Sequence, residues 1–179
     1  RDSKSRVVFL KEALEQRFYT QAGDGGDLDG DEHLSYTFDG GVVRSKKLED
    51  EGRRLEQFLS FLKGKSICDF GTGHGFFLDF CVGIASQVSG VELRQGCIND
   101  IHRRLGDSVS VKPTFEDFSQ AFDVVTMFHV LEHLEDQQTH LDSAYKALKS
   151  GGEIIIEVPH AKDFLIEKMA LEAFYDVGF

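Results

Sequence analysis

Apolar residues recur along this chain with a period that changes several times. The opening stretch RDSKSRVVFLKEALEQRFY mixes charge with apolar residues and predicts an amphipathic helix from about Arg6 to Gln21. AGDGGDLDGDEH is dense in Gly and Asp and reads as a loop. SKKLEDEGRRLEQFLSFLKG returns to helical spacing and closes on a glycine. Five short runs then read as strands: KSICDF, QVSGVEL, SVSVKP, FDVVTMF and EIIIEVPH. Between them FFLDFCVGIAS, CINDIHRRLG and LDSAYKALKSGG read as helices, the last stopped by Gly151 and Gly152. AKDFLIEKMALEAFYDVGF reads mostly as helix.

Strands alternating with helices predict an α/β fold: a Rossmann-like, doubly wound, mainly parallel sheet joined by right-handed crossovers. Residues 1–50 form an N-terminal helical and loop segment that caps the cleft, and residues 51–179 form the core. Such sheets bind ligands beyond the carboxyl ends of their strands, where strand order reverses. Chemistry is therefore expected in the segments just after each strand.

Charge and composition narrow the function. The 179 residues carry a formal net charge of −11, with basic residues scattered, which argues against nucleic acid as a partner. GRRL and HRRL read as solvated helix faces. No apolar run approaches the roughly 18 residues of a membrane span. Cys68, Cys81 and Cys97 show no paired spacing and each lies in or beside an apolar run, as reduced core residues of a cytoplasmic protein would. The chain starts at Arg1 and ends on FYDVGF, which reads as a C-terminally incomplete core.

After the first strand of the alternating series stands DFGTGHG, with Asp69, Gly71, Gly73 and Gly75. Glycines there permit a tight turn and close approach of a ligand to the main chain. The helix after it offers N–H groups suited to a carboxylate or phosphate. A dinucleotide fingerprint needs a third glycine where this chain has Phe76. About twenty residues on, Glu92 ends the second strand, where a carboxylate accepts ribose hydroxyls.

Two metal motifs fail on their details. Asp27, Asp29 and Asp31 alternate as in a calcium loop, but Glu32 stands where that loop needs Gly and Phe38 where it needs Glu. FHVLEH contains H-x-x-E-H, used by some zinc peptidases. The preceding strand runs through Phe128, so His129 lies at its exit and need not converge with His133 one helical turn on. Glu153 and Glu157 are nominal further ligands, and no metal is expected.

DFGTGHG, GVEL, FDVVTMFHVLEHL and LKSGGEIIIEVPH together resemble the class I S-adenosylmethionine-dependent methyltransferases, in the bacterial branch with a v-L-E-H-L segment after the fourth strand. The resemblance covers about Phe58 to His160. It implies a seven-stranded sheet ending in an antiparallel hairpin, whose last strands this chain lacks. It also implies roles. Asp69 and the backbone of Phe70, Gly71, Thr72, Gly73 and Gly75 would hold the methionine part of S-adenosylmethionine. Glu92 would take the ribose hydroxyls, with Leu93 against adenine. Phe115, Glu116 and Asp117 are the candidates for the remaining adenine contacts; Thr114 stands where an Asp is usual. Phe128 and His129 would lie near the sulfonium, and Tyr36 would close over the cofactor.

The expected activity is methyl transfer to oxygen, nitrogen or carbon of a small molecule, leaving S-adenosylhomocysteine. A sugar or another biosynthetic intermediate would suit as acceptor. His129 is the candidate base for a hydroxyl acceptor, because histidine changes charge near neutral pH. His133 is expected to bond locally, and His74 to point away from the binding backbone. The alternatives are a non-catalytic cofactor-binding member of the fold and a dinucleotide-dependent oxidoreductase. Oligomeric state stays open.

Overall fold

The computed structural model describes residues 38–39, 42–43 and 49–159, apart from Asp117. The expected N-terminal helix, the acidic loop, Tyr36, Asp117 and the C-terminal helix lie outside the described residues. β1 (Phe38–Asp39) and β2 (Val42–Val43) pair as a small antiparallel ribbon. The core elements come in the order α1 (Glu49–Leu62), β3 (Ser66–Phe70), α2 (Phe76–Cys81), β4 (Gln87–Val91), α3 (Gln95–Leu105), β5 (Val109–Lys112), β6 (Phe122–Phe128), α4 (Gln137–Ala147) and β7 (Leu148–Glu157).

The five core strands lie in the order β5-β4-β3-β6-β7, and every neighbouring pair is parallel. The chain builds outward from β3 to β5, then returns to place β6 on the other side of β3. Strand order therefore reverses between β3 and β6, and the ligand crevice belongs at their carboxyl ends. This is the doubly wound sheet that the alternating pattern predicts.

Successive strand residues point to opposite faces, and the core divides accordingly. On β3, Ile67 joins a cluster with Leu55, Leu62, Phe77, Leu78, Ile101 and Val124 under α1, α2 and α3. The next residue, Cys68, joins the opposite cluster with Val125, Met127, Ala144, Ala147 and Leu148 under α4. All five residues of β3 are buried, as a central parallel strand requires. The three cysteines are free and buried, as expected, and burial pushes the Cys68 and Cys81 thiols up.

Two element boundaries differ from the expectation. α4 stops at Ala147, and the stretch read as its Gly-Gly stop is already β7. Leu148 pairs with Phe122, and an irregularity intervenes before Val124 meets Glu153. Gly151 takes φ +80°, and a Cβ on Gly152 would lie 3.1 Å from the Asp123 and Lys149 carbonyl oxygens. A bulge in a strand and the end of a helix both need such glycines, so the same residues fit either. α2 is also shorter than predicted, ending before Val82, whose backbone is extended.

The amino ends of β3, β6 and β7 are fastened by a polar staple. The Ser66 amide and hydroxyl both donate to Asp123 Oδ2, at 2.8 and 2.7 Å. Lys149 Nζ, from the bulge, donates to Ser66 Oγ at 2.7 Å and to Asp123 Oδ2 at 3.0 Å. The Ser66 amide and hydroxyl, with Lys149, hold the Asp123 carboxyl down from its ordinary 3.8 to about 2. A depressed carboxylate stabilises the fold above its unfolded value, and that stability is lost as pH falls through the folded one. Asp123→Asn should cost about 1–2 kcal/mol in urea unfolding at pH 7 and should flatten the loss of stability between pH 3.8 and about 2. An unchanged acid profile in the variant would remove Asp123 as the titrating group.

Candidate cofactor-binding site

Asp69 lies one residue before the end of β3 and is almost fully buried. Burial pushes its carboxyl up to about 6, while the Thr126 and Thr72 hydroxyls and Arg54 pull it partly back. The Thr126 hydroxyl donates to Asp69 Oδ1 at 2.6 Å, linking the two strands that flank the reversal point.

The loop after β3 turns through three left-handed glycines: Gly71 at φ +71°, Gly73 at +57° and Gly75 at +74°. A Cβ on Gly71 would lie 2.6 Å from Val130, and one on Gly75 2.6 Å from Ile101. The motif thus satisfies both backbone conformation and space. The amides of Gly71 and Thr72 donate to the Val91 carbonyl, at 2.8 and 3.1 Å, and the Gly75 amide to the Thr72 carbonyl at 2.8 Å. The Gly73 amide donates to Glu92 Oε2 at 2.8 Å.

With its own amides at Gly71, Thr72, Gly73 and Gly75 engaged, the loop offers a ligand bare surface more than a nest of anion-binding donors. Glu92, at the exit of β4, is buried beside the glycines. Its Oε1 accepts the Arg94 amide at 2.9 Å and Arg94 Nε at 3.2 Å. A carboxylate has about four acceptor positions, so one remains for a ligand while Arg94 is bound. Accepting two ribose hydroxyls requires Arg94 Nε to let go.

The other predicted residues separate. Leu93, 50% exposed, stands at the same rim. Phe115 is 4% exposed and stacks on Phe70 with ring centroids 5.0 Å apart, inside the core. Its ring is therefore held in the core, and its carbonyl accepts the Phe118 amide at 2.8 Å. Glu116 is exposed, its amide donating to Thr114 Oγ1 at 3.3 Å. Phe128 is half-buried, edge-on to Phe77 at 5.0 Å, with the Arg54 guanidinium 4.8 Å above its ring.

His129, 46% exposed, leaves β6 at φ +54°. Leu131–His133 is a single 3-10 turn, so the helical arrangement that a zinc H-x-x-E-H demands is missing. Among the described residues no group of three or more His, Cys, Asp or Glu is arranged to hold a metal ion. His133 Nε2 lies 3.9 Å from Glu132. His74 turns back behind the loop, stacked on Phe76, with Nδ1 3.5 Å from Asp100.

The two arginine pairs are not simply the solvated faces that GRRL and HRRL suggest. Arg54 is only 8% exposed and donates to Glu157 Oε1 at 2.7 Å through Nη2. Arg104 bonds Asp79 and the His74 carbonyl, pinning α2 and the glycine loop to α3. In each pair one arginine faces outward and the next turns in. The signal for this is periodic: Arg54 precedes Leu55 and lies four residues before Phe58, and Arg104 lies three after Ile101, on the apolar stripes of their helices.

A glycine turn and an acid that meet at the carboxyl ends of two adjacent parallel strands give this chain the layout of a nucleoside-type α/β core. Residues 44–177 match the family described as the methyltransferase domain, and the chain belongs to that family. It is 29% identical over 121 residues to a ubiquinone biosynthesis O-methyltransferase of Thiobacillus denitrificans, covering 62% of this chain and 52% of that protein. An S-adenosylmethionine dependent methyltransferase from Mesorhizobium loti shares the fold with a TM-score of 0.54 at 22% identity, covering 62% of this chain and 53% of that one. The DhpI–SAH complex does so with a TM-score of 0.52 at 20% identity, covering 62% and 57%. The chain spans about half the length of the curated relatives it matches. No helix among the described residues is long and apolar enough to cross a membrane.

Substituting two glycines separates strain from collision. Gly64 has φ +71° with nothing within 4 Å of where a Cβ would sit, whereas Gly75 combines φ +74° with the contact to Ile101. Gly64→Ala should cost about 1 kcal/mol, and Gly75→Ala about 1–3 kcal/mol more, read by urea unfolding. Equal costs would mean that Ile101 yields freely.

Proposed function

We propose that this chain carries the cofactor site of an S-adenosylmethionine-dependent methyltransferase acting on a small-molecule acceptor, with oxygen the acceptor atom. The observation that carries this reading is the 2.8 Å bond between the Gly73 amide and Glu92, which brings the bare loop and the ribose-type acid into one pocket. The O-methyltransferase relative supports oxygen as the acceptor, and the SAH complex of a protein with this fold supports the cofactor. Family membership over residues 44–177 supports the reaction class.

The residues present fit that cofactor. Gly71 and Gly75 let the loop turn tightly against Val130 and Ile101, Glu92 keeps an acceptor position for a ribose hydroxyl, and Asp69 supplies a carboxylate for the methionine end. We assign Leu93 and Glu116 to adenine contacts, with Phe115 limited to its backbone amide; Asp117 and Tyr36 keep their proposed roles from sequence. When bound, the cofactor supplies an activated methyl group; the chain's task is to orient donor and acceptor, which alone supplies about 7–11 kcal/mol in well-aligned reactions. His129 is proposed to take the proton of the acceptor hydroxyl. Engaged loop amides and Phe76 in place of a third glycine speak against a pyrophosphate, and so against a dinucleotide. A net charge of −11 and three buried free thiols support a cytoplasmic enzyme for small molecules rather than nucleic acid.

Calorimetry tests this directly. S-adenosylmethionine and S-adenosylhomocysteine should bind and NAD should not. Glu92→Ala should weaken binding about ten- to hundredfold, the worth of one charge-assisted hydrogen bond. A folded chain that takes up neither sulfur ligand would sink the reading. Asp69 adds a pH dependence. Its raised value means the ligand-free chain is more stable with Asp69 neutral, and a cationic amino-acid end favours the charged form. Affinity should therefore fall as pH drops through about 6. In Asp69→Asn that slope should disappear; a slope that persists would assign the dependence elsewhere.

A further inference from the structure

The carboxyl ends of β6 and β7 carry a charged cluster that the glycine-loop pocket does not use. Glu157, the last residue of β7, holds His129 twice. Its carbonyl accepts the His129 amide at 2.9 Å, and its Oε1 lies 3.1 Å from His129 Nε2. The same carboxylate is clamped from α1. Arg54 reaches Oε1 through Nε and Nη2, at 3.1 and 2.7 Å, and Arg53 Nη2 spans both oxygens at 3.0 and 3.1 Å.

Burial alone would raise the Glu157 carboxyl, but the bonds from Arg54 and Arg53 outweigh it and hold the group below its ordinary range. An ionised carboxylate only accepts hydrogen bonds. His129 Nε2 can bond it only as the donor, which in the neutral ring leaves the lone pair on Nδ1. Nδ1 faces Glu132 Oε1 at 3.5 Å. That is longer than an ordinary hydrogen bond. Glu132 Oε2 is buried and has no hydrogen-bond partner among the described residues. The charged and titratable groups around the ring are then Glu157 from β7, Arg53 and Arg54 from α1, and Glu132 with His133 from the 3-10 turn. The left-handed backbone of His129 is itself a conformation that persists only where neighbours hold it.

We propose that Glu157 is a positioning residue that locks His129 in its Nε2–H form, making Nδ1 the nitrogen that takes the acceptor's proton, with Glu132 receiving the resulting Nδ1–H. This rests on the methyl-transfer reading. In that reaction the acceptor's O–H bond breaks and an oxygen electron pair forms the bond to the methyl carbon. The carbon–sulfur pair stays on sulfur, which becomes a neutral thioether, and the proton ends on Nδ1. The imidazolium then lies between two carboxylates, Glu157 at 3.1 Å and Glu132 at 3.5 Å.

The tautomer is directly observable. Long-range ¹H–¹⁵N spectra of the ¹⁵N-histidine-labelled chain, taken where imidazole is neutral and assigned with His129→Gln, should show His129 as Nε2–H. Glu157→Gln should move the tautomer ratio at least tenfold toward Nδ1–H, Glu157→Asp should restore part of the bias, and Glu132→Gln should keep it. A native His129 with hydrogen on Nδ1, or a ratio unmoved by Glu157→Gln, overturns the proposal. If Glu157→Gln does not fold, the native spectrum alone decides. S-adenosylhomocysteine calorimetry on the same samples separates the two readings: a native chain that fails to bind it removes the proton-transfer role, while the tautomer assignment stands or falls on its own spectrum.

Discussion

The hydrogen bond from the Gly73 amide to Glu92 is the contact on which the site depends. Its two residues lie 19 positions apart and belong to loops at the exits of different strands. They meet because β3 and β4 run parallel in a fixed register, Asp69 beside Gly90 and Phe70 beside Val91. The Gly71 and Thr72 amides then tie the glycine loop to the Val91 carbonyl, immediately before Glu92. A one-residue slip of β4 would turn every one of its side chains to the other face and carry the acid away. The pocket is a property of strand register as much as of the glycines.

A second constraint ties α1 to the opposite half of the sheet. Arg53 and Arg54 precede β3 in sequence but reach Glu157 at the end of β7. Arg54 also lies over the Phe128 ring and helps to lower Asp69. A buried guanidinium is tolerated only when paired, and leaving it alone is far more costly than leaving both partners out. The helix, the last residue of β6 and the last residue of β7 are therefore held as one unit, with His129 at its open side.

Much of the fold was legible because period and spacing encode it. The five apolar runs fall on the five core strands, and DFGTGHG and Glu92 meet as expected. The boundary between α4 and β7 was not legible, since Gly151 and Gly152 serve a bulge as readily as a helix end. Phe115 was legible as apolar but not as already stacked on Phe70, because stacking depends on two strands and a loop meeting. Arg54 and Glu157 were the larger omission. Charged residues read as surface until a partner more than a hundred positions away is known. His129 was found by its place at a strand exit, while the orientation of its ring depends on that same distant pair.

Arg94 gives the pocket a particular character. Its amide and guanidinium both bond Glu92 Oε1, so the acid is aimed by its own chain and held out of water. Under the proposed function, a first ribose hydroxyl would take the acceptor position left open and a second would exchange with Arg94 Nε. The second bond would be offset in part by the Arg94 contact surrendered. In a methyltransferase of the proposed kind, an acid that its own arginine can re-engage would favour release of the spent cofactor over its retention.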